Sequence, residues 1–302
     1  MEYSIYKLDF QTEVHFGMGM LNESDYTFGA DQLFSALFIE ALKWDKHKEL
    51  YQAVNERRLL FSDAFPYIKG QYMLPKPMIY IEPVDKGRSE KKKQMKKMKF
   101  LPVEELDSFL NGTMEIVDDP MQDLGTYQQR TKADVRNSEE TVPYRVGTFL
   151  FQEKSGLYVI VAYQDVQALA LMEELMESLS YTGIGGKKNT GLGKFILRKT
   201  KMPETLLQRL NGTGKRYMLL SSALPEGDEL DMAMEGASYN LVRRSGYIAS
   251  PSYADEWKRK KDLFVFATGS CFEKRFKGNI YDVSIDGRHP VFRYEEALFM
   301  EV

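Results

Sequence analysis

The chain is poor in the side chains that bind metals and form disulfides. Its 302 residues include one cysteine, Cys271, and three histidines, His15, His47 and His289. A single cysteine excludes an intrachain disulfide framework and favours a reducing compartment. The four side chains are scattered along the sequence without the spacing of a zinc motif. We therefore expect no metal site and no cofactor.

Long apolar runs are also absent from the sequence. No stretch approaches the roughly 20 apolar residues that a membrane-spanning helix needs. The first residues lack the basic and then apolar regions of a secretory signal. These absences predict a cytoplasmic protein with no membrane partner.

The chain has no overall excess of positive charge, since 41 Lys and Arg face 44 Asp and Glu for a formal net charge of −3. A free-standing nucleic-acid binder is usually basic overall. Locally the balance reverses. Residues 86–99 hold seven lysines and one arginine against one glutamate, and further basic clusters stand at 243–244 and 258–261. This mosaic predicts one basic groove, with neutral or acidic faces elsewhere.

What the chain does have is a glycine-rich basic loop. Residues 183–193 read GIGGKKNTGLG, and residues 183–201 hold six basic side chains and no acidic one. Glycines let the backbone adopt positive φ and approach a ligand closely. Exposed N–H groups and lysines suit a phosphate chain. The pattern predicts a phosphate-binding loop. The alternative is a helix C-cap with a flexible turn, for which one glycine would suffice.

The loop matches neither common nucleotide fingerprint. Gly186 and Lys187 are followed by Lys188, where a Walker A loop carries Ser or Thr, and Tyr181 stands where its first glycine belongs. Lys188 also replaces the third glycine of the dinucleotide-binding motif. The predicted order of helix, loop and strand is the reverse of both motifs. A small-molecule nucleotide site is therefore the least favoured hypothesis.

Hydrophobic periodicity predicts an α+β chain. The predicted elements are a strand at 3–10, a helix at 31–44, strands within 58–73 and 148–163, a helix at 165–179 and a strand at 194–200. This β-α-β-β-α-β order predicts a ferredoxin-like, RRM-type domain over residues 1–211. Such domains commonly hold single-stranded RNA on the sheet face and the edge of the last strand.

Two further segments complete the organisation. Within a lysine-rich insertion at about 84–146, the second half, residues 126–145, predicts an extended hairpin or arm along a polyanion, although a solvated surface loop would have the same composition. Residues 212–302 contain several strand patterns and one short helix at 228–234. They predict a degenerate second ferredoxin-like domain after a linker at 212–214.

Several motifs together carry a family resemblance. They stand at residues 14–17 (VHFG), 27–37 (TFGADQLFSAL), 63–66 (DAFP), 74–77 (LPKP), 183–193 and 267–272 (ATGSCF). With them the chain resembles the RAMP superfamily of CRISPR proteins over nearly its whole length. It is most similar to the fourth subunit of the type III-A (Csm) effector complex. The resemblance implies a non-catalytic scaffold for antiviral defence, built of two tandem ferredoxin-like domains, the first with an inserted thumb-like arm.

The resemblance also implies partners. A subunit of this kind grips the repeat-derived 5′ tag of the crRNA. It links the large palm-domain subunit of the complex to the backbone-forming RAMP subunit. Its arm pushes into the guide–target duplex, so that target RNA lies near the arm.

The implied RNA-binding residues fall into three groups. In the glycine loop and beside it they are Gly185, Gly186, Lys187, Lys188, Asn189, Gly191, His15 and Phe16. In the arm they are Arg130 and Arg136, and in the second domain Arg243, Arg244, Ser245 and Ser270. Phe16 would stack on a base and His15 would hydrogen-bond a phosphate or a 2′-OH. The alternatives are a core position for Phe16, a locally satisfied polar role for His15 and a solvated strand end for Arg243 and Arg244.

An enzyme is the main alternative function. A RAMP-type, metal-independent endoribonuclease that processes CRISPR repeat RNA needs a base near the attacking 2′-OH and a cation near the scissile phosphate. His15 with Lys187 would supply both. No acidic or tyrosine partner for His15 is evident from the spacing. We therefore predict that the chain has no catalytic residues.

Overall fold

The computed structural model describes residues 1–82, 89–115, 120–134, 142–250 and 252–302. The helices of these residues are α1 (Ala30–Lys43), α2 (His47–Asn55), α3 (Ser89–Lys97), α4 (Leu106–Leu110), α5 (Val166–Thr182), α6 (Glu204–Leu210) and α7 (Gly227–Met234). The strands up to residue 200 are β1 (Glu2–Phe10), β2 (Phe16–Gly17), β3 (Ser24–Asp25), β4 (Leu59–Phe61), β5 (Phe65–Ile68), β6 (Gln71–Pro75), β7 (Phe100–Pro102), β8 (Gly125–Asp134), β9 (Val142–Phe151), β10 (Ser155–Tyr163) and β11 (Phe195–Thr200). The later strands are β12 (Tyr217–Leu219), β13 (Leu241–Arg244), β14 (Leu263–Phe266), β15 (Cys271–Phe272), β16 (Gly278–Asp282), β17 (Phe292–Glu296) and β18 (Phe299–Glu301).

A seven-stranded sheet organises the first part of the chain. Its strands follow the order β11-β1-β10-β5-β6-β7, and β4 also pairs with β10. The pairs are antiparallel, with Ile5 opposite Ile160 between β1 and β10 and Leu8 opposite Leu197 between β1 and β11. The predicted mixture of helix and sheet is confirmed.

Strand β10 shows how this sheet serves two cores. Side chains alternate between the two faces of a strand. Leu157, Val159 and Val161 join the cluster formed with α1 and α5, while Tyr158, Ile160 and Ala162 join a second cluster on the opposite face. All six side chains are fully buried, so both faces of the sheet are covered at this strand.

The second cluster corrects one expectation. Leu206 and Leu210 of α6, with Met218, Leu220 and Met300 of the second unit, cover the sheet face that lies away from α1 and α5. RNA is therefore excluded from the sheet face on which RRM-type domains commonly hold it. The edge at β11 remains exposed, and Arg198 and Lys199 lie on it.

Helix α5 leads directly into the glycine loop. The Asp165 carboxylate accepts a hydrogen bond from the Ala168 N–H at 2.7 Å and so caps the first turn. Met172, Leu175 and Leu179 are fully buried along one stripe. The helix ends at Gly183, whose φ of 86° is a conformation that glycine adopts without steric cost. The predicted helix is confirmed and extends a few residues further.

The lysine-rich insertion is only partly an arm. Strand β7 lies within it and adds to the main sheet, with Leu101 opposite Leu74 of β6. The predicted hairpin is formed by β8 and β9, which pair from Gly125 and Phe151 to Asp134 and Val142. We call this hairpin the arm. The predicted residues Arg136 and Asn137 lie outside the described residues.

The second unit, residues 212–302, is built from small sheets and one described helix, α7. Strands β15, β12 and β18 form one sheet, and β13–β14 and β16–β17 form two-stranded pairs. The β13–β14 pairing continues beyond the strands, because Tyr247 bridges Arg259 and the Lys260 N–H donates to the Gly246 carbonyl oxygen at 2.9 Å. We call residues 241–248 and 257–266 the ribbon.

Candidate nucleic-acid interface

The glycine loop, residues 183–193, packs against the segment that follows β1. The Gly186 N–H donates to the His15 carbonyl oxygen at 2.8 Å, and the Gly193 N–H donates to that of Glu13 at 2.9 Å. Within the loop, the Ile184 N–H donates to the Gly193 carbonyl oxygen at 3.0 Å. The loop is therefore a hydrogen-bonded turn held at the end of β1.

Three glycines are required by close packing of backbone on backbone. A Cβ atom on Gly193 would lie 2.0 Å from the Ile184 carbonyl oxygen, one on Gly183 would lie 2.7 Å from that of Leu192, and one on Gly185 would lie 2.8 Å from that of His15. Gly191 differs, since its φ is 88° but nothing lies within 4 Å of its Cβ position. These three glycines thus serve the loop's own packing, whereas Gly191 faces open space.

The backbone N–H groups of the loop divide into two sets. Those already bonded to protein carbonyl oxygens belong to Gly183, Ile184, Gly186, Thr190, Gly191 and Gly193. Those of Gly185, Lys187, Lys188, Asn189 and Leu192 have no backbone acceptor among the described residues, and the three at 187–189 are consecutive. Lys187 adopts the left-handed conformation, with φ 59° and ψ 25°, immediately before a 3-10 turn at Lys188–Thr190. This sequence of conformations turns successive N–H groups toward one concavity, which suits an anion. We call residues 187–189 the nest.

The two central lysines extend toward different elements. The Lys187 ammonium lies 5.5 Å from the centroid of the Tyr144 ring on the arm, within cation–π range. Lys188 is half-buried beside α1. Burial lowers its pKa, with Glu40 opposing that shift and Lys43 adding to it. Positive charge therefore lies on two sides of the nest.

The half of the described arm that lies farther from the sheet, which includes Arg130 and Lys132, contacts the same region. The Lys132 ammonium donates to Thr190 Oγ1 at 2.9 Å, and Arg130 Nη2 donates to Glu13 Oε1 at 2.6 Å. Burial opposes ionisation of Glu13, but the hydrogen bond from Arg130 helps to hold its pKa below the ordinary value. Arg130 is therefore engaged with Glu13. Lys132 and Tyr144 were not predicted as site residues, since nothing in strand periodicity shows which loop a strand lies beside.

The His15 side chain is held beside the glycine loop by a hydrogen bond to the backbone. Nδ1 of His15 lies 2.7 Å from the Gly147 carbonyl oxygen. Because that oxygen only accepts, Nδ1 carries the proton and Nε2 of the neutral ring is an acceptor. The imidazole lies beside Gly186, whose Cβ position is 2.6 Å from the ring Cδ2.

Phe16 is 2% exposed and packs against Phe28 at 5.1 Å between ring centroids. Its predicted stacking on a base is corrected to a core position.

The second-unit candidates form a separate group. Arg243 is exposed, with Nε 3.3 Å from Asp262, and Ser245 accepts a hydrogen bond from Arg293 through its carbonyl oxygen at 3.3 Å. Arg244 Nη2 lies 3.0 Å from Asp31 Oδ1. Ser270 is fully buried and accepts from the Asn240 N–H at 3.4 Å. Burial removes Ser270 from any RNA surface, and Arg244 is committed to an ion pair.

A cleft of about 800 Å³ opens between the two units. Its walls include Gly17, residues 27–29 and Lys76 from the first unit, and Arg244 and Thr268 from the second. Lys96 and Lys99 also line it. Sequence reasoning did not select these three lysines individually, although the LPKP motif and the lysine-rich insertion contain them. Burial lowers the pKa of Lys76, whose ammonium donates to the Met95 carbonyl oxygen at 2.6 Å.

Other kinds of chemistry have little support in the described part of the chain. Its His, Cys, Asp and Glu side chains do not gather in threes as metal ligands would. None of its helices is both long and apolar enough to cross a bilayer. The Cys271 thiol is buried, and burial raises its pKa to about 12, which suppresses the reactive thiolate.

Known proteins resemble the chain in sequence over its full length. A family model, the CRISPR Csm4 C-terminal domain, matches residues 212–302. The "CRISPR system Cms protein Csm4" of Mycobacterium tuberculosis (strain ATCC 25618 / H37Rv) is 36% identical over 303 residues, covering 99% of this chain and 98% of the relative. The protein of the same name from Streptococcus thermophilus is 36% identical over 312 residues, covering 100% and 99%.

Solved structures share the fold at lower sequence identity. A chain in the crystal structure of the Csm3-Csm4 subcomplex in the type III-A CRISPR-Cas interference complex superposes with a TM-score of 0.68 at 16% identity, covering 99% of each chain. A chain of the Csm1-Csm4 cassette in complex with pppApApA gives a TM-score of 0.63 at 18% identity, covering 100% of this chain and 98% of that one.

Proposed function

The chain belongs to the Csm4 family of CRISPR-system proteins, and from this premise we propose that it anchors the 5′ repeat-derived tag of the crRNA in a type III-A (Csm) interference complex. In this role the chain is a non-catalytic RNA-binding subunit. It acts in antiviral defence by fixing one end of the guide.

The nest carries this proposal. Three consecutive N–H groups without a protein acceptor converge at residues 187–189, and the ammonium groups of Lys187 and Lys188 add charge on two sides. Charged acceptors form shorter and stronger hydrogen bonds than neutral ones. A phosphate of the RNA backbone is thus the ligand that best matches these donors. Asn189 is exposed beside them and would contact the same strand.

The cleft offers the route for the rest of the tag. His15 lies beside Gly186 in the loop, and Gly17, two residues later, already lines the cleft. A strand leaving the nest would pass Nε2 of His15, which accepts from a 2′-OH in its neutral form. It would then enter the cleft beside Lys76, Lys96 and Lys99. These lysines would neutralise phosphates without reading sequence.

The arm and the neighbouring subunits complete the proposed assembly. The arm would meet the guide–target duplex, and Arg136, which lies outside the described residues, would contact RNA with it. The solved assemblies join relatives of this fold to Csm3 and to Csm1. This supports a place between the backbone-forming RAMP subunit and the large palm-domain subunit.

We assign a ferredoxin-like fold to residues 1–211, with the arm as its thumb-like insertion. The antiparallel order β11-β1-β10-β5, with α1 and α5 as the two crossing helices, supports this assignment. A domain boundary at residue 212 is supported by the family model, which begins there. Residues 212–302 would be a reduced second copy, since their described part has strands and a single helix.

The proposal is tested by measuring the salt dependence of crRNA affinity in two double variants that each lose two lysines. Lys187→Ala with Lys188→Ala should weaken binding of a tag-containing crRNA and lower the slope of log affinity against log salt by roughly two phosphate contacts. Lys215→Ala with Lys274→Ala removes the same charge from the second unit and should leave the slope unchanged. Equal slopes in the two double variants would refute the role of the nest.

The nuclease alternative is tested with the same protein. His15 is held through Nδ1 by a backbone carbonyl, which leaves Nε2 as a base. Purified protein incubated with labelled repeat RNA should leave the RNA intact. Cleavage that disappears in His15→Ala would replace our proposal with the endonuclease.

A further inference from the structure

The ribbon exposes large apolar side chains that the proposed function does not use. Trp257 is 81% exposed, Tyr247 and Phe264 are each 61% exposed, and Leu241 is 57% exposed. Exposed apolar side chains that cluster on one element mark an interaction site more often than isolated ones do. The ribbon therefore presents a surface that needs a partner.

The aromatic rings are interleaved with cations. Phe264 lies directly opposite Arg243 in the ladder. The Arg259 guanidinium lies 5.8 Å from the centroid of the Tyr247 ring. The rings of Tyr247 and Trp257 meet edge to face at 6.4 Å. Aromatic faces combined with arginines form the surfaces on which single-stranded nucleic acids stack their bases.

The local charge favours a polyanion. Among the described residues from 239 to 266, the exposed basic side chains are Arg243, Lys258, Arg259 and Lys261, and the exposed acidic ones are Asp255, Glu256 and Asp262. Arg244 is paired with Asp31, and Lys260 is half-buried. Asp255 is already paired with Arg288 at 2.6 Å, and Asp262 lies 3.3 Å from Arg243. This segment is net positive in a chain whose formal charge is −3.

The ribbon also adjoins the cleft. Asn240, Val242 and Arg244 line the cleft wall, while Arg243 and Phe264 point to the other face of the same two strands, because side chains alternate along a strand. RNA that leaves the cleft past Asn240 would therefore meet the exposed side of the ribbon next.

We propose that the ribbon is a stacking surface for unpaired bases of single-stranded RNA that continues out of the cleft, with Trp257, Tyr247 and Phe264 as the stacking rings. This inference rests on the proposed function, which brings RNA into the cleft. It assigns a second contact, by stacking, to RNA whose backbone the nest holds by charge.

Tryptophan fluorescence tests the stacking directly. The chain has two tryptophans, and Trp44 is also exposed, at 59%. It lies at the end of α1 opposite to Asp31, roughly 20 Å along the helix at 1.5 Å per residue. In a Trp44→Phe background, saturating crRNA should quench Trp257 emission. Titration with crRNA alone and with crRNA annealed to target RNA distinguishes the guide from the target as the source of the bases. Unchanged emission at saturating RNA in both titrations would overturn the inference.

Matched substitutions give the energetic test. Trp257→Ala and Phe264→Ala should each weaken RNA binding by about fivefold or more, the range for loss of one stacked base. Trp44→Ala removes the other exposed tryptophan, far from the ribbon, and should have no such effect. If the two ribbon variants bind RNA with unchanged affinity while binding still depends on Lys187 and Lys188, only this inference is refuted. If the protein binds no crRNA at all, the proposed function is refuted as well.

A protein partner is the competing occupant, because tryptophan, tyrosine and arginine are also enriched in protein interfaces. Quenching of Trp257 by the purified large subunit without RNA, together with none by RNA, would assign the ribbon to protein docking and refute the stacking role.

Discussion

Single residues of the glycine loop have distinct roles although they share a composition. Gly193 and Gly185 let two backbone segments meet, while Lys187 occupies a left-handed conformation that glycine would adopt more cheaply. Lys187 shares this conformation with five other non-glycine residues of the described chain, and it differs from them by standing at the start of the nest.

Gly193→Ala should lower the stability of the protein by more than about 2 kcal/mol, because the new Cβ would lie 2.0 Å from the Ile184 carbonyl oxygen at a φ of 78°. Gly191→Ala has positive φ but open space, so it should cost only about 1 kcal/mol. Urea unfolding followed by circular dichroism measures both. Similar costs for the two variants would mean that packing against Ile184 is not what fixes the loop.

Strand β17 is the unusual element of the fold, since it buries Arg293, Glu295 and Glu296. Burial raises the pKa of Glu295 well above its ordinary value, with Asp31 adding to the shift and Arg244 and Arg293 opposing it. Burial likewise raises the pKa of Glu296 to about 7, against an opposing effect of its ion pair with Arg57. Both carboxyl groups therefore favour the protonated state in the folded protein.

The free energy of unfolding should consequently fall as pH rises from about 5 to 7. A folded-state pKa above the ordinary 4.5 means that the folded protein binds the proton more tightly, so the contribution is complete below 4.5 and is lost as pH rises through about 7. For Glu296 the change should be on the order of 2 kcal/mol. Glu13 and Glu40, whose pKa values are lowered, act only below this window.

Glu296→Gln should flatten that pH dependence, as measured by the denaturation midpoint at pH 5, 6 and 7. Its amide oxygen can still accept from Arg57, so the variant should fold. A slope equal to that of the unchanged protein would show that Glu296 does not titrate in this range.

Some elements of the fold could be predicted from the sequence, and others could not. The stripe of Leu171, Leu175 and Leu179, with two methionines beside it, was enough to predict α5. The glycines and lysines at 183–193 were enough to indicate a loop of special geometry. The charged residues of β17 gave no sign of burial, since only the tertiary fold brings Asp31 and Arg244 to them. The sequence also did not predict that α6 and the second unit cover one face of the main sheet, because an apolar residue gives no information about which element packs on it. Short helices such as α4 and α6 offer too few turns for periodicity to show.

At the scale of the whole molecule, buried ion pairs join the two units. Asp31, at the start of α1, lies 3.0 Å from Arg244 and 2.9 Å from Arg293, both of the second unit. Asp63 bonds to the Thr268 hydroxyl and accepts from the Ala30 N–H at 2.7 Å. The shared apolar cluster under the sheet adds Met218, Leu220 and Met300 to this contact. We therefore expect the units to unfold together.

Asp31→Ala should destabilise the protein by about 3–5 kcal/mol, because it removes the ion-pair partner that Arg244 and the buried Arg293 share. Asp255→Ala breaks an exposed pair with Arg288 and should cost less than about 1 kcal/mol. Differential scanning calorimetry should show one transition in both variants. Two separated transitions in the unaltered protein would contradict the coupling of the units.

The contacts of Lys132 with Thr190 and of Arg130 with Glu13 have a mechanical consequence. They join the far half of the described arm to the glycine loop and to the segment that follows β1, so that these parts form one connected unit. If this unit holds the first nucleotides of a guide, the protein sets the distance from the nest to the point where the arm meets the duplex. The guide's sequence does not set it. The protein would then impose a constant spacing along every guide, measured from the nest.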